Sequence, residues 1–388
     1  MQKGDLMRKK ILIPTIYFTK KGGIERYTVE LARFLSKKYK VDILCKSYEK
    51  NLINHNINII KVNVPSNRYL SYLFPTYISR KHIKNNRDKY FCIINNGIGA
   101  TTIQDILIAQ SCHKGWLRSL SNGRFPKTLL DPANLIICGI EKHNYTKGNY
   151  KKIIAISNFV AELIRREYKV SKKDIVIVHS GVNLDEFSVN DEEREYFKNK
   201  IRKEVGVKNE HLFLFVGNEF KRKGLDILLR SLHIIKNEGH KDFKLLVVGK
   251  DNLNKFKKII ESYDLEDNII FLGLVGSKLR EYYFASDVFL FPTRHDAFGL
   301  VVAEAMAAGL PVITSKFAGA SEIIENGREG IVINTLDEKV WADAIIKLSS
   351  NDKLQQKISN NAKKKIKEYS WDKVFKRISK VIEEECGK

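Results

Sequence analysis

The sequence predicts an α/β chain built from two successive parallel-sheet units. Three observations carry this expectation. At 388 residues the chain is too long for one typical domain and fits two of ordinary size. Short apolar runs alternate with segments of helical periodicity, the β-α-β rhythm of a parallel sheet with helices on both faces. The rhythm halts at a charge-dense stretch, residues 191–203, and then restarts.

Each element follows from its local pattern. Residues 11–17 read as the first strand. A helix over 23–37 follows, with Ile24, Tyr27, Leu31, Phe34 and Leu35 at helical spacing. Strands are expected at 41–45, 57–64, 92–95, 106–110 and 152–156, a helix at 157–168 capped by Ser157, and a strand at 175–179. Residues 191–203 read as a linker entering a surface helix. In the second half strands are expected at 211–216, 244–248, 269–272, 288–291 and 311–314, with helices at 223–237 and 299–308, the latter stopped by Gly309. The expected division is therefore 1–190 and 191–368, two Rossmann-like units. In such sheets ligands bind at the carboxyl ends of the strands, so two facing units would place a cleft between them.

The formal net charge is +23, unevenly spread. Residues 1–190 carry 33 Lys+Arg against 14 Asp+Glu, whereas 191–388 carry 35 against 31. A uniform compositional bias would raise both halves alike, so the first half is expected to face an anion: a phosphorylated acceptor, an anionic lipid surface or nucleic acid. No nucleic-acid-binding module is recognisable and the aromatics pattern as core, so no nucleic acid partner is expected. Arg80, Lys81, Lys84, Arg87 and Lys89 cluster beside Tyr77, Ile78 and Ile83, a basic amphipathic pattern suited to a membrane interface.

Five widely spaced cysteines without a C-x-x-C give neither a zinc site nor a disulfide framework, and reduced thiols in a cytoplasmic protein are expected. Arg8-Lys9-Lys10 before an apolar run suggests a signal peptide. However, no small-residue cleavage site follows and the next residues open an amphipathic helix, so a buried strand is expected instead. No apolar stretch approaches the ~20 residues that span a bilayer.

Three motifs carry chemistry. Lys20-Lys21-Gly22-Gly23-Ile24-Glu25-Arg26 opens the first helix. Paired glycines allow close backbone approach and a helix N-terminus offers N–H groups to phosphate, although an ordinary strand-to-helix turn looks the same. Neither this nor Gly97-Ile98-Gly99 is the dinucleotide G-x-G-x-x-G pattern. Gly217-Asn218-Glu219-Phe220-Lys221-Arg222-Lys223-Gly224 ends a strand in glycine and places cations before a helix, where a diphosphate would meet a helix dipole and fixed positive charge. The most specific runs from Pro292 to Met306. A loop carboxylate, Asp296, is followed eight residues later by Glu304 on an apolar helix, and the loop would aim the N–H groups of Ala297, Phe298 and Gly299 at a ligand ahead of Leu300. A carboxylate in so apolar a helix is costly to bury without a partner, and a ribose diol would serve.

The stretch Asp296 to Glu304 resembles the acidic-x7-acidic motif of retaining family 4 glycosyltransferases. Gly22 to Arg26 is similar to their N-terminal glycine loop, His179-Ser180-Gly181-Val182-Asn183 to their interdomain turn, and Gly217 to Gly224 to their donor-phosphate loop. Gly309-Leu310-Pro311-Val312-Ile313 and Gly319-Ala320-Ser321-Glu322-Ile323-Ile324 also fit in order. Cys112-His113-Lys114-Gly115-Trp116-Leu117 and Glu141-Lys142 resemble a bacterial lipopolysaccharide-core hexosyltransferase subgroup. Three departures stand out: Asp296 replaces the usual glutamate, Asn218 the arginine that often follows the loop glycine, and Asn183 the usual aspartate.

The resemblance implies the two-domain GT-B fold, with the donor on the second unit and the acceptor on the basic first. It also implies that the segment 369–388, with Trp371, Val374, Phe375, Ile378, Val381 and Ile382 at helical spacing, crosses back onto the first unit. It implies transfer of a hexose from a nucleotide sugar, a UDP-sugar foremost, to a hydroxyl of a cell-envelope glycan or glycolipid, by a protein peripheral to the inner face of the cytoplasmic membrane. Arg222 and Lys223 would stabilise the leaving diphosphate, His113 would lie near the reactive sugar carbon, and Asp296 would complete the catalytic set. Gly22, Gly23, Gly217, Ala297, Phe298, Gly299, Leu300 and Glu304 would bind the donor. No aspartate pair has D-x-D spacing, so no metal or other cofactor is expected. A sugar-nucleotide epimerase of the same architecture is the alternative, and a nucleic-acid-binding protein a more remote one.

Overall fold

A computed structural model describes residues 9–63, 70–97, 100–119 and 131–387. Arg8 of the basic N-terminal triplet, Val64 at the end of the expected third strand, and Ile98 and Gly99 of the rejected glycine pattern lie outside these residues. The chain divides into two units. The first comprises 1–180 with 371–388, and the second 181–370, so the division falls between Ser180 and Gly181 rather than near residue 190.

The first unit holds a seven-stranded parallel sheet. Its strands are β1 (Lys10–Pro14), β2 (Lys40–Cys45), β3 (Ile57–Lys61), β4 (Cys92–Asn96), β5 (Ile106–Ala109), β6 (Lys152–Ala155) and β7 (Ile175–Ile177), in the order β3-β2-β1-β4-β5-β6-β7. β1 and β4–β6 are buried almost throughout, as strands covered on both faces must be. Between β1 and β2 the Gly23–Leu35 helix buries Tyr27, Leu31 and Leu35. Ser157 caps the Asn158–Tyr168 helix, its hydroxyl accepting from the Val160 N–H at 3.1 Å. The Trp371–Cys386 helix belongs to this unit. Trp371 stacks on Phe375 with ring centres 4.9 Å apart, and Tyr27 meets both rings edge-on.

The second unit repeats the plan with β8 (His211–Val216), β9 (Phe243–Val248), β10 (Ile269–Gly273), β11 (Val288–Phe291), β12 (Val312–Ser315) and β13 (Ile331–Ile333), in the order β10-β9-β8-β11-β12-β13. Its core gathers Phe213, Phe215, Phe220, Leu228, Leu290, Trp341 and Ile345. In both sheets the order runs third-second-first-fourth onward, so the connections reverse direction beside the first strand. That reversal opens a crevice at the strands' carboxyl ends.

Two expectations need correction. Residues 191–203 are helical from their first residue: Asn190 and Glu193 form a reciprocal capping box, and the Asp191–Glu204 helix buries Ile201. In the basic segment of the Leu70–Asn86 helix, Ile83 faces the core and is fully buried. Arg87 is spent on the Asp105 carboxylate at 2.7 Å and the Tyr90 carbonyl at 2.8 Å. The exposed stripe is Leu73, Tyr77, Arg80, Lys81 and Lys84.

Candidate active site

In the second unit the two most telling motifs lie far apart in sequence and side by side in space. One follows β8 and the other follows β11, and β8 pairs directly with β11 at the point where the strand order reverses. The loops are locked backbone to backbone. Gly224 has φ +86°, and a Cβ there would lie 1.9 Å from the Pro292 carbonyl oxygen, so only glycine fits. The Arg294 N–H donates to the Arg222 carbonyl at 2.9 Å, and the Arg294 guanidinium grips Asp226 with two bonds of 2.7 and 2.8 Å.

The cations expected at a diphosphate are held by this frame. Lys223 Nζ pairs with the Asp296 carboxylate and lies 5.2 Å from the Phe291 ring centre. Arg222 donates to the His295 carbonyl at 2.8 Å and to the Glu219 carboxylate at 2.8 and 3.1 Å. Burial pushes the Asp296 carboxyl upward. Lys223, with help from Arg222 and His295, outweighs burial and holds it below the usual carboxylate range, so it stays ionised. Glu219, which the sequence reading did not single out, is half-exposed and left-handed at φ 55°, an uncommon conformation for a residue with a Cβ. Its three-residue spacing from Arg222 was the available signal.

Gly217 receives its place from packing: a Cβ there would come within 3.0 Å of the Lys223 side chain. Gly299, at φ +88°, starts the Leu300–Ala308 helix with no side-chain cap. The Asp296 loop is pinned from below, its N–H donating to the Phe317 carbonyl at 2.9 Å and its carbonyl accepting from Gly319 at 3.0 Å. The Phe298 carbonyl accepts from Ala320, while the Phe298 ring is core. Ala297 and Leu300 lie in the same segment. Glu304 is buried, which removes the reading of an exposed helix position. It also has a partner the sequence did not reveal: the Tyr283 hydroxyl, on the neighbouring Leu279–Ala285 helix, donates to Glu304 Oε2 at 3.1 Å. Burial of Glu304 is therefore compensated in part by the protein itself and does not by itself require a ribose diol.

The remaining residues belong to the first unit. Gly22 precedes the Gly23–Leu35 helix after β1, and a Cβ on it would collide with the Glu25 carboxylate. His113 follows β5, with β4 between it and the glycine turn in the sheet. Its backbone N–H and that of Lys114 are both held by the buried Glu141 carboxylate, at 2.6 and 3.1 Å, and the Tyr168 hydroxyl donates to the same group. Burial lifts the Glu141 carboxyl above its ordinary range despite these bonds. His113 Nε2 meets Asn134 Oδ1 at 3.0 Å, and burial lowers the imidazole pKa, so His113 is neutral at pH 7. Among the described residues, the one cluster with metal-ligand spacing, Cys92, Asp105 and Cys386, lies elsewhere in this unit. Its Asp105 is already occupied by Arg87 and the Ile93 N–H.

Comparison with known proteins agrees with this architecture. Residues 21–186 match the model described as Glycosyltransferase Family 4, and residues 197–365 match Glycosyl transferases group 1. An uncharacterized glycosyltransferase of Methanocaldococcus jannaschii is 27% identical over 97% of this chain and 98% of its own. Another from that organism is 30% identical over 59% of each chain. Among solved structures, WaaG, a glycosyltransferase involved in lipopolysaccharide biosynthesis, superposes with TM-score 0.78 at 20% identity, covering 96% of this chain and 99% of that one. Anabaena HepE in complex with UDP and glucose gives 0.75 at 17% identity, covering 97% and 100%. The chain is a glycosyltransferase of family 4 with the GT-B fold.

Proposed function

We propose that the chain transfers a hexose from a UDP-sugar to a hydroxyl of a cell-envelope glycan or glycolipid, with retention of anomeric configuration and without a metal. The observation that carries this reading is the pair Arg222 and Lys223 at the crevice between β8 and β11, each held against a carboxylate and backed by an acidic-x7-acidic segment. The UDP and UDP-glucose complexes of HepE support the choice of nucleotide.

As the bond from the anomeric carbon to the bridging phosphate oxygen breaks, negative charge grows on that oxygen. Arg222 and Lys223 take it up: Arg222 by exchanging the exposed Glu219 for phosphate, Lys223 as a point charge. Asp296 holds Lys223 in place until the donor arrives. The acceptor hydroxyl attacks the same face of the sugar, and its proton passes to the departing phosphate, so no protein base is needed. Glu304, oriented by Tyr283, accepts the ribose hydroxyls. Among the described residues no helix is long and apolar enough to cross a membrane. The exposed stripe of Leu73, Tyr77, Arg80, Lys81 and Lys84 supports a peripheral hold on an anionic bilayer. A thermal-shift titration with UDP, ADP and GDP tests the donor reading, because a bound ligand raises the melting temperature by mass action. Stabilisation by UDP above the other two supports it, and no shift with any of them refutes it.

A further inference from the structure

The Trp371–Cys386 helix buries one face in the first unit, and the buried stripe runs Trp371, Phe375, Ile378, Ile382, Cys386, at helical spacing. The helical period therefore carries a sulfur, and not another hydrocarbon, into the core at the last turn. That turn is held from two sides. Glu383 takes Lys38 at 2.8 Å and the Tyr39 hydroxyl at 3.2 Å, and Glu385 pairs with Lys152, the first residue of β6, at 3.2 Å.

The sulfur meets a partner there. Cys92 opens β4 opposite Ile11 of β1, is fully buried, and lies 294 positions before Cys386. Both thiols are free, and their Sγ atoms are 2.8 Å apart. Nonbonded carbon atoms settle at about 3.5–4.0 Å, and sulfur is larger. A disulfide needs about 2.05 Å, so the pair stands roughly 0.8 Å from bonding.

A metal is the rival occupant, with Asp105 as the third ligand. That carboxylate is already spent: Arg87 reaches it at 2.7 and 3.0 Å, the Ile93 N–H at 2.8 Å and Lys151 at 3.6 Å. Two thiols alone fall short of the tetrahedral set that zinc takes. What remains is the chemistry of the thiols with each other.

We infer that Cys92 and Cys386 form a disulfide on exposure to hydrogen peroxide, a redox-made staple that fixes the last turn of the Trp371–Cys386 helix to β4. It sits at the amino end of β4, away from the carboxyl-end loops that carry the glycine turn and His113, and stands apart from the transfer proposed above. Cys386 reacts first, because it keeps 7% of its surface exposed and Cys92 none. Burial, with Cys386 beside it, also pushes the Cys92 thiol up, so Cys92 is protonated at rest. The Cys386 sulfur attacks the peroxide, the O–O bond breaks, and one water leaves with a sulfenic acid on Cys386. The Cys92 sulfur then attacks the sulfenic sulfur, gives up its proton to the departing hydroxyl, and a second water leaves as the S–S bond forms. Two electrons pass from the sulfurs to the peroxide.

The reduced full chain, treated with hydrogen peroxide, then alkylated with N-ethylmaleimide in urea and digested, tests the assignment by mass spectrometry. It should yield Cys92 and Cys386 peptides linked to each other and separated by dithiothreitol. The oxidised chain should also melt roughly 5 °C or more above the reduced one. Cys386→Ser should give neither the linked peptides nor the shift, and Cys138→Ser should keep both. Alkylation of both thiols after peroxide, or a linkage that forms only when peroxide is added in urea, would overturn the proposal. So would zinc retained by the reduced chain and lost from Cys386→Ser, because the thiols would then be metal ligands.

Discussion

Glu304 is buried and Asp296, eight residues before it, is half-buried, and their surroundings assign them different work. Glu304 accepts from a neutral group, the Tyr283 hydroxyl, and is the carboxylate proposed to meet the donor's ribose diol. Glu304→Ala should weaken UDP binding by roughly 1–3 kcal/mol, and Tyr283→Phe by less than that, in calorimetry with folding checked by circular dichroism. Asp296 is committed to Lys223, and its folded pKa lies below the ordinary value. The sign follows from linkage. A depressed carboxylate binds fewer protons folded than unfolded, so its stabilising contribution is full above the unfolded pKa of about 3.9 and is lost as pH falls through the folded one. Denaturant melts of wild type and Asp296→Asn should therefore differ most near neutrality and converge under strong acid. A gap that stays constant across that range would contradict the assignment.

At the scale of elements, the loops after β8 and β11 act as one device because Gly224 lets them touch. Gly224→Ala puts a Cβ on the Pro292 carbonyl at a positive φ and should destabilise the second unit by about 2 kcal/mol or more, read as a lowered melting temperature. The strands and this loop pair were legible in the sequence because buried parallel strands are short apolar runs and because glycine and proline punctuate them. The Pro132–Asn144 and Leu279–Ala285 helices went unassigned, and with them Asn134 and Tyr283, which position His113 and Glu304, while Glu141 was legible only as part of a subgroup motif and not as the carboxylate that holds the His113 N–H. Their contacts are long-range, and no local periodicity reports them. The Ile83 misreading has a similar cause: in a basic helix an isoleucine facing inward and one facing a membrane look alike until the neighbouring strands are placed.

Across the whole molecule, positive charge is in excess in the first half, and the exposed stripe of Leu73, Tyr77, Arg80, Lys81 and Lys84 should bind vesicles of phosphatidylglycerol but not of phosphatidylcholine at low salt. Arg80→Glu/Lys84→Glu should abolish sedimentation with the anionic vesicles, while equal sedimentation with both lipids would argue against a charge-driven dock. In the proposed transfer, protein cations, and not a metal, meet the charge of the leaving diphosphate. The most direct test is the initial rate of donor turnover for wild type, Arg222→Ala and Lys223→Ala, each with EDTA and with added magnesium. The wild-type rate should survive EDTA, and each variant should lose about 10²–10³-fold. Strict dependence on magnesium, or near-normal turnover in both variants, would contradict the proposed transfer.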